Sequence, residues 1–278
     1  MKRTRNCSLI CLLLCVGTWC APHGASAQTA DASLPDSPAP AVESSHHGDG
    51  KYFDGVVSWK EMPRDILKDQ KAIWLSPRQL AKGRGWIPVL VVAGGTAGLI
   101  ASDPHTMPYF RDHAKNLDDV NDVFDESITT GEVVALPVSL MAVGFARHDS
   151  YMTSTALLAG EAYADTAVVD LAVKAVSRRE RPSDVPAGAN FDHTFFNGNE
   201  SPLKGSSFPS GHAAGAFSVA TVVATRYKNH RWVPWVAYGF ATAVSLSRIT
   251  TSAHFPSDVF LGAALGYTVT RFQVLRPR

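Results

Sequence analysis

Three short segments of this 278-residue chain concentrate side chains that can hold an anion and act on it. The first runs from Lys174 to Pro182. Lys174 falls near the end of an apolar helical stretch, and Arg181 follows just before a proline that ends the turn. Cations at a helix C-terminus also have a purely structural use, as partners of its dipole. The second segment is Phe208-Pro209-Ser210-Gly211-His212, placed before an Ala-rich helix. A Ser-Gly pair opening a helix offers an anion a hydroxyl and backbone N–H groups, with the dipole in support. Gly211 carries no Cβ to block a close approach, and His212 can give a proton beside the bound group. An ordinary N-cap followed by a surface histidine would read the same way. The third segment holds Ser247, Arg248, His254 and Asp258. A carboxylate four residues after a histidine can fix the tautomer that leaves the other ring nitrogen free to attack. Ser257 reads as the cap of the helix that carries Asp258.

Taken in order, K-x6-RP, PSGH and SR-x5-H-x3-D resemble the type 2 phosphatidic acid phosphatase (PAP2) superfamily. That family also includes bacterial class A acid phosphatases and vanadium haloperoxidases. The motifs span residues 174–258, with 26 residues between Pro182 and Pro209 and 34 between His212 and Ser247. The resemblance implies a phosphoric ester hydrolase in which Lys174, Arg181, Arg248, Ser210 and the Gly211 N–H hold the phosphate oxygens. It implies that His254 attacks phosphorus, that Asp258 orients it, and that His212 protonates the leaving oxygen and then activates water. The cations supply the charge that phosphoryl transfer needs, so no metal and no cofactor are expected, although vanadate is a phosphate analogue that the same cradle can hold. One departure is that many members have Gly two residues before the nucleophile, where this chain has Ser252.

Helices must position these groups. Six apolar stretches, Trp86–Ser102, Val133–Ala146, Met152–Val176, Gly211–Thr225, Trp232–Ser247 and Val259–Thr270, lack strand alternation and are too long for strands. The expected fold is all-α, a single helical bundle of about six core helices. The bundle is assigned to 86–278, with the PAP2-like domain at about 150–272. Residues 51–85 form an amphipathic N-terminal segment, expected to pack over the bundle, with a helix start at Ser76-Pro77. The Ser183–Phe208 connection reads as a lid or entrance loop.

Ahead of this, Lys2, Arg3 and Arg5 precede an apolar run from Leu9 to Trp19, and Ala25-Ser26-Ala27 ends in a small-x-small pattern. Residues 1–27 therefore read as a signal peptide, and 28–50 as a disordered leader. All four cysteines (Cys7, Cys11, Cys15, Cys20) fall in the signal segment. Without it the chain has no disulfide, thiolate site or cysteine nucleophile, and its charge is 23 basic against 25 acidic residues. No polybasic field points to nucleic acid.

The expected location is the periplasm or the cell-envelope membrane, with the active site on the outer side. Uncharged runs shorter than the ~20 residues of an untilted crossing, and Glu161, Asp165, Asp170 and Lys174 in one helix, favour a soluble or peripherally attached bundle. The Gly94/Gly98 spacing permits close helix packing. The expected partner is a phosphorylated lipid or a small phosphate ester, with membrane association possible. A soluble periplasmic non-specific acid phosphatase is the alternative, and a vanadium haloperoxidase a more distant one. The acidic stretch from Leu117 lacks the glycine and final glutamate of a calcium loop. His46-His47 reads as solvated chain, and Arg178, Arg179 and Glu180 as exposed charge.

Overall fold

The structure, a computed structural model, describes residues 52–78, 82–83, 85–113, 126–197 and 206–277. The signal and leader segments, His46-His47 and the acidic stretch from Leu117 to Asp125 lie outside the described residues. Among the described residues all regular structure is helical. In chain order the main helices are α1 (Met62–Leu75), α2 (Trp86–His113), α3 (Glu126–Ala146), α4 (Ser150–Ser177), α5 (Gly211–Arg226), α6 (Val233–Thr250) and α7 (Pro256–Val269), and a π turn (Thr270–Val274) follows α7. All six stretches expected to be helical are helices. The largest difference is α2, which runs past Ser102 through Pro104 and Pro108 to His113.

Helix α5 is the hub, packed against α4, α6 and α7. Its sequence explains this: Ala, Gly, Ser and Val make a thin helix that neighbours can surround, and twelve of its sixteen residues are buried. Helix α7 comes closest. A Cβ on Gly262 would lie 2.4 Å from the Ser210 carbonyl oxygen, and one on Gly266 would lie 2.2 Å from that of Ala214. Only glycine allows this backbone contact, and it pins the middle and second half of α7 to the first turns of α5. These two glycines make the closest backbone approaches among the described residues. Nothing lies within 4 Å of where a Cβ on Gly94 or Gly98 would sit. Leu158, Val222 and Val244 fill the core around α5, each contributing roughly 1.5–3 kcal/mol by leaving water.

The N-terminal segment lies over this bundle. Phe53 N donates to the Leu275 carbonyl at 3.0 Å, and Val57 N donates to Ser154 Oγ at 3.1 Å. Arg226, buried at the end of α5, donates to Thr155 Oγ1 at 2.8 Å and to the Gly55 carbonyl at 3.1 Å. Helix α1 begins at Met62 with Pro63 in its first turn, a start the sequence reading did not assign. Ser76 closes α1, its N–H donating to the Ile73 carbonyl, and Pro77 and Arg78 are helical beyond it. Gln70 Nε2 donates to Asp165 Oδ1 at 2.8 Å, tying α1 to α4. Asp69, Glu161 and Asp165 crowd there, all buried, and burial pushes the Asp165 carboxyl up to about 7, with the Asp69 charge adding to the shift.

Helix α2 is long and apolar enough to cross a membrane by length and composition, and little of its apolar window is buried. Its first turns expose Trp86, Ile87, Leu90 and Val91, whereas Asp103 and Met107 further along are completely buried.

Candidate active site

The C-terminus of α4, the N-terminus of α5 and the turn between α6 and α7 meet around a cavity of about 300 Å³. Lys174, Arg181, Gly211, His212 and His254 all line it, so residues from each of the three motifs share one space. Ser210, Arg248 and Asp258 are buried and do not line the cavity. Val133, Tyr163 and Leu171 supply an apolar wall beside the cationic one.

Helix α4 carries Lys174 one turn before its end. Lys174 Nζ lies 2.7 Å from Asp170 Oδ2, and Asp170 also lines the cavity. Asp170 was not among the residues expected at the site. Burial pushes its carboxyl above the usual range, and the charges of Lys174 and His254 pull the other way. Gly211 makes room for this pair, since a Cβ there would sit 2.9 Å from Lys174 Nζ. Ser210 caps α5, its Oγ accepting from Ala213 N at 3.4 Å, and its own N–H donates to the Asp258 carbonyl at 2.9 Å.

His254 is held from one side. Its Nδ1 lies 2.7 Å from the Ser207 carbonyl oxygen. A carbonyl can only accept, so Nδ1 carries the proton and the Nε2 lone pair is free. Asp258 Oδ2 is 3.7 Å from Nδ1, within charge–charge range but beyond a hydrogen bond. Asp258 Oδ2 instead accepts from the Ser207 hydroxyl and, at 2.8 Å, from Phe255 N. The expected direct contact is thus relayed through Ser207, which the sequence reading passed over. Ser257 is also displaced from its expected role. Phe255 is the N-cap of α7, Pro256 opens the helix, and the Ser257 hydroxyl bonds to Asp103 and Arg179 instead.

Arg179, expected to be exposed, is 1% exposed. The chain leaves α4 through Arg178 in the left-handed conformation, at φ 41°, which turns the next residue inward. The Arg179 guanidinium bonds Asp258 Oδ1, Ser257 Oγ and Asp103 Oδ2, each at 2.7 Å, and Thr194 Oγ1 at 3.0 Å. It also stacks 3.8 Å from the Phe255 ring. Burial pushes the Asp103 carboxyl up, opposed by the Ser257 hydrogen bond and the Arg179 charge. Part of the Ser183–Phe208 connection is packed rather than open, with Val185 and Phe191 buried against Met107 and Phe255.

Residues 154–276 match the family described as the PAP2 superfamily. This segment belongs to the PAP2 superfamily. The PAP2 segment contains all three motifs and leaves α1, α2 and α3 outside it. The chain is also 41% identical over 64 residues to a lipid A 1-phosphatase of Porphyromonas gingivalis, a match covering 23% of this chain and 14% of that protein. Among solved structures it is similar to a transmembrane PAP2-type phosphatidylglycerolphosphate phosphatase from Bacillus subtilis. That likeness has a TM-score of 0.45 and 19% identity, over 72% of this chain and 94% of the other.

Proposed function

We propose that the chain is a metal-independent phosphatase that hydrolyses a phosphomonoester or diphosphate, with a lipid phosphate as the favoured substrate, through a phosphohistidine on His254. The observation that carries this reading is the single cavity shared by His254, His212, Lys174 and Arg181. His254 presents a free Nε2 lone pair, because the Ser207 carbonyl holds the proton on Nδ1. Attack at phosphorus places positive charge on the ring, and the Asp258 carboxylate 3.7 Å away stabilises it. Lys174 and Arg181, which line the cavity, balance the phosphoryl oxygens, the buried Arg248 is the third cation of the family's motif, and the N-terminus of α5 adds its dipole. His212 gives a proton to the leaving oxygen and takes one from water in the second step.

The apolar wall of Val133, Tyr163 and Leu171 beside these cations suits a phosphate joined to an apolar body. The exposed Trp86, Ile87, Leu90 and Val91 on α2, and Trp235 on α6, suit attachment to a membrane surface. The favoured location is outside the cytoplasm, in keeping with the basic and apolar N-terminus. The decisive assay measures phosphate release by purified protein from a lipid phosphate in mixed micelles and from a chromogenic ester, with His254→Ala alongside. Loss of turnover in that variant, and faster turnover of the lipid phosphate, support the reading. Equal turnover by His254→Ala overturns the mechanism, and exclusive use of the soluble ester overturns the substrate class.

A further inference from the structure

We propose that Asp103 and Arg179 are positioning residues for His254. In this arrangement α2 clamps the Arg179 guanidinium, which in turn fixes the two groups that set the imidazole. The inference rests on His254 being the reactive group, and adds to the site a residue that lies outside the segment matching the PAP2 superfamily.

Arg179 reaches the partners of His254 by two routes. Through its side chain it holds Asp258 Oδ1 at 2.7 Å. Through its backbone carbonyl it accepts from Ser207 N at 2.7 Å, and Ser207 is the residue whose own carbonyl binds His254 Nδ1. A shift of Arg179 would therefore move both. The guanidinium is a planar fork with donors in fixed directions, so its orientation is set by whatever occupies each prong. Thr194 takes Nε, Asp258 and Ser257 share one terminal nitrogen, and Asp103 Oδ2 takes the other. Asp103 also accepts from the Ser257 hydroxyl, which closes a ring of contacts among Asp103, Arg179 and Ser257.

Charge points the same way. One guanidinium lies between two carboxylates, both completely buried. If Arg179 faced Asp258 alone, the pair would be neutral, with little field left at the imidazole. With Asp103 on its second terminal nitrogen, the guanidinium cannot turn wholly to Asp258, whose carboxylate faces the imidazole where positive charge develops on attack. Asp103 touches none of the cavity, so its influence runs through Arg179 and not through contact with a substrate.

The test compares purified wild type, Asp103→Asn and Asp103→Ala in turnover of a chromogenic phosphate ester, with inorganic phosphate as competitive inhibitor. The Lys174, Arg181 and Arg248 cradle is intact in both variants, so a positioning role lowers kcat while the KM and the inhibition constant of phosphate stay within threefold. The expected loss in kcat is about tenfold or more for Asp103→Ala, as misplacement of a reacting group by a fraction of an ångström commonly costs. It is smaller for Asp103→Asn, which can still accept from Arg179. Arg226→Gln is the control for burial alone: it breaks a comparable buried arginine network remote from the cavity, and should lower Tm while leaving kcat per folded molecule unchanged. If Asp103→Ala does not fold, Asp103→Asn decides. A kcat lowered threefold or more supports the proposal, and a kcat within threefold of wild type in every folded variant overturns it. Loss of phosphate affinity in parallel with kcat also overturns it, because the cradle would then be what was disturbed. Absence of turnover in the wild type would instead sink the phosphatase reading itself.

Discussion

His254 turns its Nδ1 to the backbone carbonyl of Ser207, 2.7 Å away, while the carboxylate of Asp258 stands 3.7 Å off. Tautomer and charge are thus supplied by different groups. Asp258→Asn should keep the proton on Nδ1, because the Ser207 carbonyl is untouched, yet lose the charge that favours attack. We expect kcat to fall by roughly 10- to 100-fold, well short of the loss in His254→Ala. Steady-state kinetics of the two variants checks this.

Asp170 should make anion binding at the cavity pH-dependent. Its carboxyl is pushed up by burial, so it stays neutral to a higher pH than an ordinary aspartate, and below that point Lys174 faces an incoming anion without a competing carboxylate. As pH rises and Asp170 ionises, anion affinity should fall. Asp170→Asn should bind inorganic phosphate more tightly than wild type at alkaline pH, by roughly 3- to 10-fold. The two should converge in acid. Inhibition constants compared at matched pH cancel the titration of phosphate itself.

Gly211→Ala places a Cβ 2.9 Å from Lys174 Nζ, the movable end of a flexible side chain. Folding should be little affected, since alanine suits the first turn of a helix. Lys174 must shift, so KM for a phosphate ester should rise by about 3- to 10-fold at nearly constant Tm. Thermal melts and kinetics on one preparation separate the two effects.

Ser252, two residues before His254, sits at φ 56°, in the left-handed region that disfavours side chains with a Cβ. Its carbonyl accepts from Ser183 N at 2.9 Å, so the conformation is held from outside the turn. Ser252→Gly should leave stability level or raise it by up to about 1 kcal/mol, whereas Ser252→Val should lower it by about 1–2 kcal/mol. Chemical denaturation of both variants measures the difference.

Asp165 sets a stability trend with pH. With its folded carboxyl raised to about 7, the native chain holds a proton that the unfolded chain releases near pH 4. Stability from this site is therefore lost as pH rises from about 4 to 7. Asp165→Asn still offers Gln70 an oxygen, and should raise Tm at pH 8 with little change at pH 4. Melting curves at the two pH values decide it.

The helices were legible because their apolar runs are long and uninterrupted, and the groups lining the cavity because their motifs have fixed spacing. What escaped depended on contacts between distant segments. The continuation of α2 through Pro104 and Pro108 follows from Asp103 and Met107 being buried against the bundle, which local proline rules do not register. Arg179 sits in a run of four charged residues that reads as solvated, and the left-handed turn at Arg178 that sends it inward has no glycine to announce it. Ser207 acts at His254 mainly through its backbone carbonyl, which leaves no trace in residue type. Asp170 is a different case: its spacing from Lys174 on one helix already pairs the two, and what the fold adds is that the pair faces the cavity.

The proposed mechanism requires His254 to carry the phosphoryl group during turnover. Purified protein mixed with a radiolabelled phosphate ester, quenched in alkali within a turnover and digested, should yield label on the peptide containing His254. The linkage should be lost in acid, and His254→Ala should give no label and no turnover. Undiminished turnover without label in the wild type, or label and turnover persisting in His254→Ala, would rule out a phosphohistidine on His254.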